Sequence, residues 1–238
     1  MGEITIPRRV SELSSSGIQA LKDLDAPGNR MSGAPISGKG KIAALVGLSL
    51  LEVIRARDLP TEILDQENPS ETMPRRLGLT EAVGLQIRRF GEEVRRGGRI
   101  TDDEAKALFA LVLRRPDAAD VFFQAGEVMA GKDSAKRGIA RWYPARVRYA
   151  LARRQFRKRV KWLFGRPLGG FAHGHFTLEA NAHLLLEMDS RGSACALLTG
   201  LAQTILARYF PDPGTICHPS CLAKNSDLCR WTLAEKTA

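Results

Sequence analysis

Before Cys195 the chain contains no cysteine, and all four of its cysteines, Cys195, Cys217, Cys221 and Cys229, fall in the last quarter of its 238 residues. That distribution excludes a disulfide scaffold spread along the chain. Long apolar runs are also missing. The longest candidate, Ile42 to Ile54, is interrupted by Glu52 and falls short of the roughly 20 residues that a membrane-spanning helix needs. The opening MGEITIPRRVSEL has no apolar segment behind its charges, so a cytoplasmic chain is expected. In a reducing compartment, clustered cysteines point to metal ligands or reactive thiols rather than disulfides.

Signs of a self-contained enzyme are absent as well. No GxGxxG lies between a strand and a helix, and there is no flavin signature, Ser/His/Asp arrangement or carboxylate pair. GKGKIAALVG contains glycines but has neither Walker spacing nor a preceding strand, and reads as a loop. Acidic residues are the minority, 26 against 36 Lys and Arg, for a net charge of +10. Such a surface attracts something anionic: nucleic acid, an acidic membrane, an acidic protein or a carboxylate-bearing ligand. Hydrophobic content of 44% and charged content of 26% are ordinary for a folded chain.

Residues 1–40, rich in Ser, Gly and Pro, read as a flexible N-terminal tail with at most a short helix near Ile18 to Leu24. Residues 41–164 read as a helical portion. Its first helix is expected from Lys41 to Arg57, apolar on most sides and therefore buried. One or two helical turns are expected over Thr61 to Asn68. Thr80 is positioned to cap a helix carrying Val83, Ile87, Phe90 and Val94 on one face, closed by Gly97 and Gly98. Thr101 and Glu104 form a capping-box pattern for the next helix, and Pro116 stops it. Asp117 then starts a helix whose apolar stripe is Val121, Phe122, Ala125 and Met129.

The strongest charge feature follows, RWYPARVRYALARRQFRKRVKWLFGR. Pro144 suits a first helical turn, and Tyr149, Ala152, Phe156, Val160 and Leu163 make one apolar stripe. The cations Arg153, Arg154, Arg157, Lys158 and Lys161 lie on the other faces. They make either a solvated face or a docking surface for an acidic membrane or anionic partner, peripheral at the inner membrane. From residue 165 to 238 the pattern changes: FTLEA and HLLLEM around Asn181 read as a β-hairpin, Cys195 to Phe210 as a helix, and RWTLA as a last strand. The expected fold class is α+β, a helical layer packed on a small antiparallel sheet with a C-terminal cysteine loop.

Cysteine thiolates and an imidazole are the ligand types that zinc prefers. The run CHPSCLAKNSDLCRW, with His218 beside Cys217, plus the distant Cys195 could supply a tetrahedral site; the alternative is that these thiols are small buried hydrophobes. The segment from Cys195 to Leu233 resembles the C-terminal signature of the 4-vinyl reductase domain family. In that family a cysteine opens a helix, and a Cys-x-Ala-x-Gly-x-x-x-Cys-x-aromatic motif follows. The corresponding residues here are Cys195 and then Cys221, Ala223, Asn225, Cys229 and Trp231. Asn225 stands where the family has Gly, a mild change because Asn tolerates the left-handed conformation. His218 stands where the family's phenol-sensing members have a glutamate on zinc. The resemblance thus implies a structural zinc on Cys195, Cys221, Cys229 and His218, with Cys217 as rival for the fourth place. Neighbours on a strand point to opposite faces, so only one of the two reaches the metal unless the strand is bulged.

The branch of the family acting in bacteriochlorophyll biosynthesis shares the general plan. The resemblance implies an apolar cavity between helices and sheet with arginines at its mouth, suited to a hydrophobic small molecule such as a magnesium tetrapyrrole. His173 and His175 are placed to ligate the magnesium or hydrogen-bond a propionate, or are ordinary surface histidines; Phe171 and Trp142 are the aromatic candidates beside them. Binding or delivery of such a ligand fits the missing hydride source better than self-sufficient reduction. A photosynthetic-apparatus protein is the implied partner, and a homodimer is left open. The alternative is a sensory domain for a small aromatic effector. The basic helix lacks an arrangement of base-stacking aromatics, and the cysteine spacing fits no DNA-reading finger, which argues against nucleic acid.

Overall fold

The computed structural model describes residues 41–58, 81–131, 143–172, 176–181 and 184–234. The predicted tail and the predicted turns at Thr61 to Asn68 lie outside these residues. The described chain combines seven α-helices with two small antiparallel sheets.

A two-residue strand, β1 (Ile42–Ala43), comes first and pairs with β2 (Arg99–Ile100). The first helix, α1 (Ala44–Asp58), therefore starts three residues later than its periodicity suggests. Ile42 and Ile100 face each other across this ribbon, both buried, so a β-branched pair takes the residues that a helix could have used. Helix α1 is buried on most sides, as its all-round apolar sequence requires. Helix α2 (Glu81–Arg95) buries Val83 and Phe90, with Ile87 and Val94 packed beside them.

Helix α3 (Asp102–Leu113) is capped by Thr101, whose hydroxyl accepts from the Glu104 backbone N–H at 3.2 Å. Only half of the capping box forms, because the Glu104 carboxylate instead accepts from Arg89 of α2 at 2.5 Å. Helix α4 (Ala118–Ala130) buries Val121, Phe122, Ala125 and Met129 completely. Asp117 precedes it but makes no side-chain cap; its carboxylate is held by Arg57 at 3.0 Å and Arg115 at 2.8 Å. The basic helix is α5 (Ala145–Phe164), ended by Gly165 in the left-handed conformation at φ 70°. Ala152, Phe156, Val160 and Leu163 point into the core.

The four-stranded sheet contains β3 (Gly170–Phe171), β4 (Thr177–Ala180), β5 (Ile216–Ser220) and β6 (Cys229–Leu233), in the order β3-β4-β6-β5 and antiparallel throughout. One expectation fails here. The described part of HLLLEM is not a strand: α6 (Leu184–Met188) is a short helix, and the hairpin partner of β4 is β3 on its other side. Leu, Glu and Met are good helix formers without β-branching, and three successive leucines satisfy either period.

Helix α7 (Ala196–Ala207) packs across α4, both helices being largely buried. The contact is set by two glycines. A Cβ on Gly126 would strike the Leu197 carbonyl, and one on Gly200 would strike the Phe123 carbonyl, so the backbones touch directly. No helix among the described residues is long and apolar enough to cross a membrane.

Candidate metal centre

Four side chains from separate pieces of chain converge where the start of α7 meets the sheet. The donor atoms of Cys195, His218, Cys221 and Cys229 all lie within 4.8 Å of one another. None of the four cysteines forms a disulfide.

Each ligand is positioned by local structure. After α6 the chain turns through residues 189–194, and buried Asp189 organises the turn: its carboxylate accepts from the backbone N–H of Arg191 at 2.8 Å and Ala194 at 2.7 Å. Gly192 takes φ 79°, and a Cβ there would lie 2.8 Å from the Cys221 sulfur. The glycine thus permits the turn and leaves room for a ligand atom. A 3-10 turn (Ser193–Cys195) then delivers Cys195 at the head of α7. Its carbonyl accepts from the indole N–H of Trp231 on β6 at 3.3 Å.

The choice between Cys217 and His218 is decided by register. Cys217 faces Thr232 across β5 and β6, yet Ser220 faces Arg230, so a bulge places His218 and Pro219 opposite Trp231 alone. Cys217 is left exposed, outside the cluster, and is not its fourth member. The His218 ring turns inward and stacks on Trp231, centroids 4.5 Å apart. Beyond the strand, Cys221 opens a tight turn whose carbonyl accepts from the backbone N–H of Lys224 at 2.9 Å and of Ser226 at 3.2 Å. Asn225 closes it at φ 61°, the left-handed conformation expected of it. The turn also aims the Leu222 N–H at the Cys229 sulfur, 3.4 Å away.

The arrangement fits a metal ion on three counts. The sulfurs of Cys221 and Cys229 are 3.8 Å apart, close to the roughly 3.8 Å that separates two thiolates bound ~2.3 Å from a tetrahedral ion. His218 Nε2 is buried with no hydrogen-bond partner. Burial draws the imidazole down to about 4, with Lys224 adding to the effect, so it is neutral near pH 7 and keeps a free lone pair. Burial, reinforced by the neighbouring Cys229 and Cys221, pushes the Cys195 thiol well up, and burial also raises Cys229. Thiols gathered this closely in a buried site resist ionisation until a cation compensates their charge.

Asp189, Gly192 and the Leu222 N–H are absent from the sequence reading of the site. Aspartate followed three residues later by glycine, in DSRG, is the turn signature that marks the first two of these.

Of the other predicted site residues, those that are described do not join this cluster. His173, His175 and Trp142 lie outside the described residues. Phe171 sits on edge strand β3, half-buried, with its ring edge-on to Phe156 at 5.7 Å and Phe176 at 4.9 Å. Those three rings pack edge to face where α5 meets the sheet. Arg154, Arg157, Lys158 and Lys161 are exposed along α5, whereas Arg153 is half-buried and donates to the Tyr149 carbonyl at 3.4 Å. Comparisons with protein-family models, with curated proteins and with solved structures find no match to this chain.

Proposed function

We propose that the chain is a small-molecule-binding protein whose C-terminal half is fastened by a structural zinc ion on Cys195, His218, Cys221 and Cys229. The convergence of three thiols and one partnerless imidazole nitrogen carries this reading. Four protein ligands complete a tetrahedron and leave no open position, which marks a structural rather than a catalytic zinc. Soft thiolates with imidazole favour zinc over magnesium or calcium. Bound there, the ion ties the head of α7 to both strands of the β5–β6 hairpin, and its binding energy becomes folding energy.

The ligand we propose is a chlorophyllide-like tetrapyrrole intermediate, bound or delivered rather than reduced. This follows the resemblance to the 4-vinyl reductase domain family, in particular to the 4-vinyl reductase of bacteriochlorophyll biosynthesis. Support comes from the basic face of α5, which suits the propionate of such a ligand. Two measurements test the reading together. Metal analysis of the purified chain is expected to give about one zinc per chain, and titration with a magnesium porphyrin is expected to shift its Soret band. A metal-free chain of undiminished stability refutes the clasp, and an unshifted Soret band refutes the ligand.

A further inference from the structure

At the end of α7 opposite to Cys195, a cleft of about 530 Å³ opens between the end of α4, the middle of α5 and the residues that follow α7. That is within the roughly 300–1,000 Å³ of small-molecule sites. Its floor is Ala130 and Tyr209, both buried, and its walls include Leu151 and Trp162. Trp162 is 43% exposed, a large aromatic surface left in water at the edge of a concavity.

The polar groups inside the cleft are already engaged. The Tyr209 hydroxyl donates to Gln155 at 2.7 Å. The Arg159 guanidinium donates to the Met129 carbonyl at 2.6 Å and lies 4.7 Å over the Trp162 ring. These groups shape the cleft. The two remaining lining cations, Arg154 and Lys158, stand four residues apart on α5, so they share one face with both heads exposed. Helix α5 contains no acidic residue, and no ion pair among the described residues involves either cation.

We infer that this cleft binds an amphipathic organic anion, with its apolar or aromatic body against Leu151, Trp162 and Tyr209 and its carboxylate or sulfonate between Arg154 and Lys158. Arginine offers a planar fork to such a head, and lysine adds a point charge beside it. A concave apolar floor with the cations on the rim selects a discrete ligand over a flat bilayer or a nucleic-acid backbone, which would meet the charges before the floor. The inference rests on the ligand-binding reading above and gives it a location.

The test uses the full chain, zinc-loaded, in about 0.1 M salt, where long-range attraction is screened beyond roughly 10 Å. The probe is 1-anilinonaphthalene-8-sulfonate, with the uncharged N-phenyl-1-naphthylamine as its counterpart. Saturable binding of the sulfonate near one per chain is expected, together with quenching of tryptophan fluorescence. The double variant Arg154→Gln/Lys158→Gln should weaken it roughly tenfold or more, the loss of one or two charge-assisted hydrogen bonds. Arg146→Gln/Arg157→Gln removes the same charge from the same helix outside the cleft, and should change affinity by less than about twofold. Leu151→Trp, which fills the cleft without touching a charge, should abolish binding. Circular dichroism confirms that each variant folds. Equal weakening by the two double variants, an unaffected Leu151→Trp, or uncharged probe binding as tightly as the sulfonate overturns the site. If the Soret band of the magnesium porphyrin shifts equally in wild type and Arg154→Gln/Lys158→Gln, the ligand reading stands without this cleft.

Discussion

The His218 imidazole lies nearly parallel to the Trp231 indole, their planes 13° apart and centroids 4.5 Å apart. The same indole donates its N–H to the carbonyl of Cys195. One fully buried side chain thus braces two members of the cluster that are far apart in sequence, by stacking on one and hydrogen-bonding beneath the other. Supports of this kind are worth about 10- to 100-fold in metal affinity. Trp231→Phe, which keeps an aromatic face but loses the N–H, should lower zinc affinity about tenfold in a chelator competition. Trp231→Leu loses both contacts and should lower it further.

Because the bulge in β5 sends His218 inward and Cys217 outward, the two variants His218→Ala and Cys217→Ala should separate cleanly. His218→Ala is expected to lose the metal on dialysis against a weak chelator, and Cys217→Ala to keep it. Mass spectrometry after brief iodoacetamide treatment of the native zinc-loaded chain should find Cys217 as the one modified thiol among the four. Equal metal retention by the two variants would falsify the assignment.

The turn before α7 depends on Asp189 and Gly192. Asp189→Ala strands the N–H groups of Arg191 and Ala194, each of which gives up a hydrogen bond to a charged acceptor worth about 1.5–3 kcal/mol. Gly192→Ala forces a Cβ toward the Cys221 sulfur in a conformation that L-residues rarely adopt. Both should speed zinc release without removing a ligand, as followed by a chromophoric chelator. Release at the wild-type rate would show that the turn does not position Cys195.

What was legible in the sequence is what repeats or what carries distinctive chemistry. The stripes Val121/Phe122/Ala125/Met129 and Tyr149/Ala152/Phe156/Val160/Leu163 recur at helical spacing, and every one of these residues except the half-buried Tyr149 is buried. Thr101 announced its cap, and Asn225 its left-handed turn. Cys195, Cys221 and Cys229 declared themselves by ligand type, although the spacing alone could not bring Cys195 to them. Features that depend on pairing were hidden. Ile42 and Ala43 form too short a strand to show a period, and HLLLEM satisfies two periods at once. The 217/218 choice turns on how β5 registers against Arg230 to Thr232, which a single strand cannot reveal. The cleft draws on Ala130, on α5 and on Tyr209, residues that no local pattern links.

Gly126 and Gly200 set the α4–α7 crossing, and a substitution there should reverse the usual sign of helix propensity. An exposed helical glycine replaced by alanine gains about 1 kcal/mol. Here the added methyl meets a carbonyl of the opposite helix, so the two helices must separate along the centre of the core. Gly200→Ala should destabilise the chain by about 3 kcal/mol, the upper end of ordinary overpacking costs, as measured by urea denaturation of the zinc-loaded protein. Gly91→Ala in α2, where a Cβ meets nothing within 4 Å, serves as the control and should be neutral or stabilising.

The junction of α1, α3 and α4 is tied by charges rather than by a cap, and this gives stability a defined acid dependence. Arg115 reaches Asp58 at 2.7 Å and Asp117 at 2.8 Å, and Arg57 reaches Asp117 at 3.0 Å. The hydrogen bond from Arg115 pulls the Asp117 carboxyl below its ordinary 3.8, outweighing the opposing effect of burial, and Arg57 lowers it further. Burial alone would lower Arg115, but its bonds to Asp58 and Asp117 raise it on balance, so it stays charged throughout. A carboxyl depressed in the folded state gives stability that is complete above its unfolded value and is lost as pH falls through its folded one. Asp117 should therefore contribute fully above about pH 5 and progressively less below about pH 4. The partners are about one-quarter exposed, which screens the pair and keeps its contribution modest. Asp117→Asn should lower stability at pH 7 and flatten its decline below pH 4, measured by urea denaturation in parallel with wild type. A variant whose stability falls as steeply as wild type across that range would show that Asp117 is not the group being titrated.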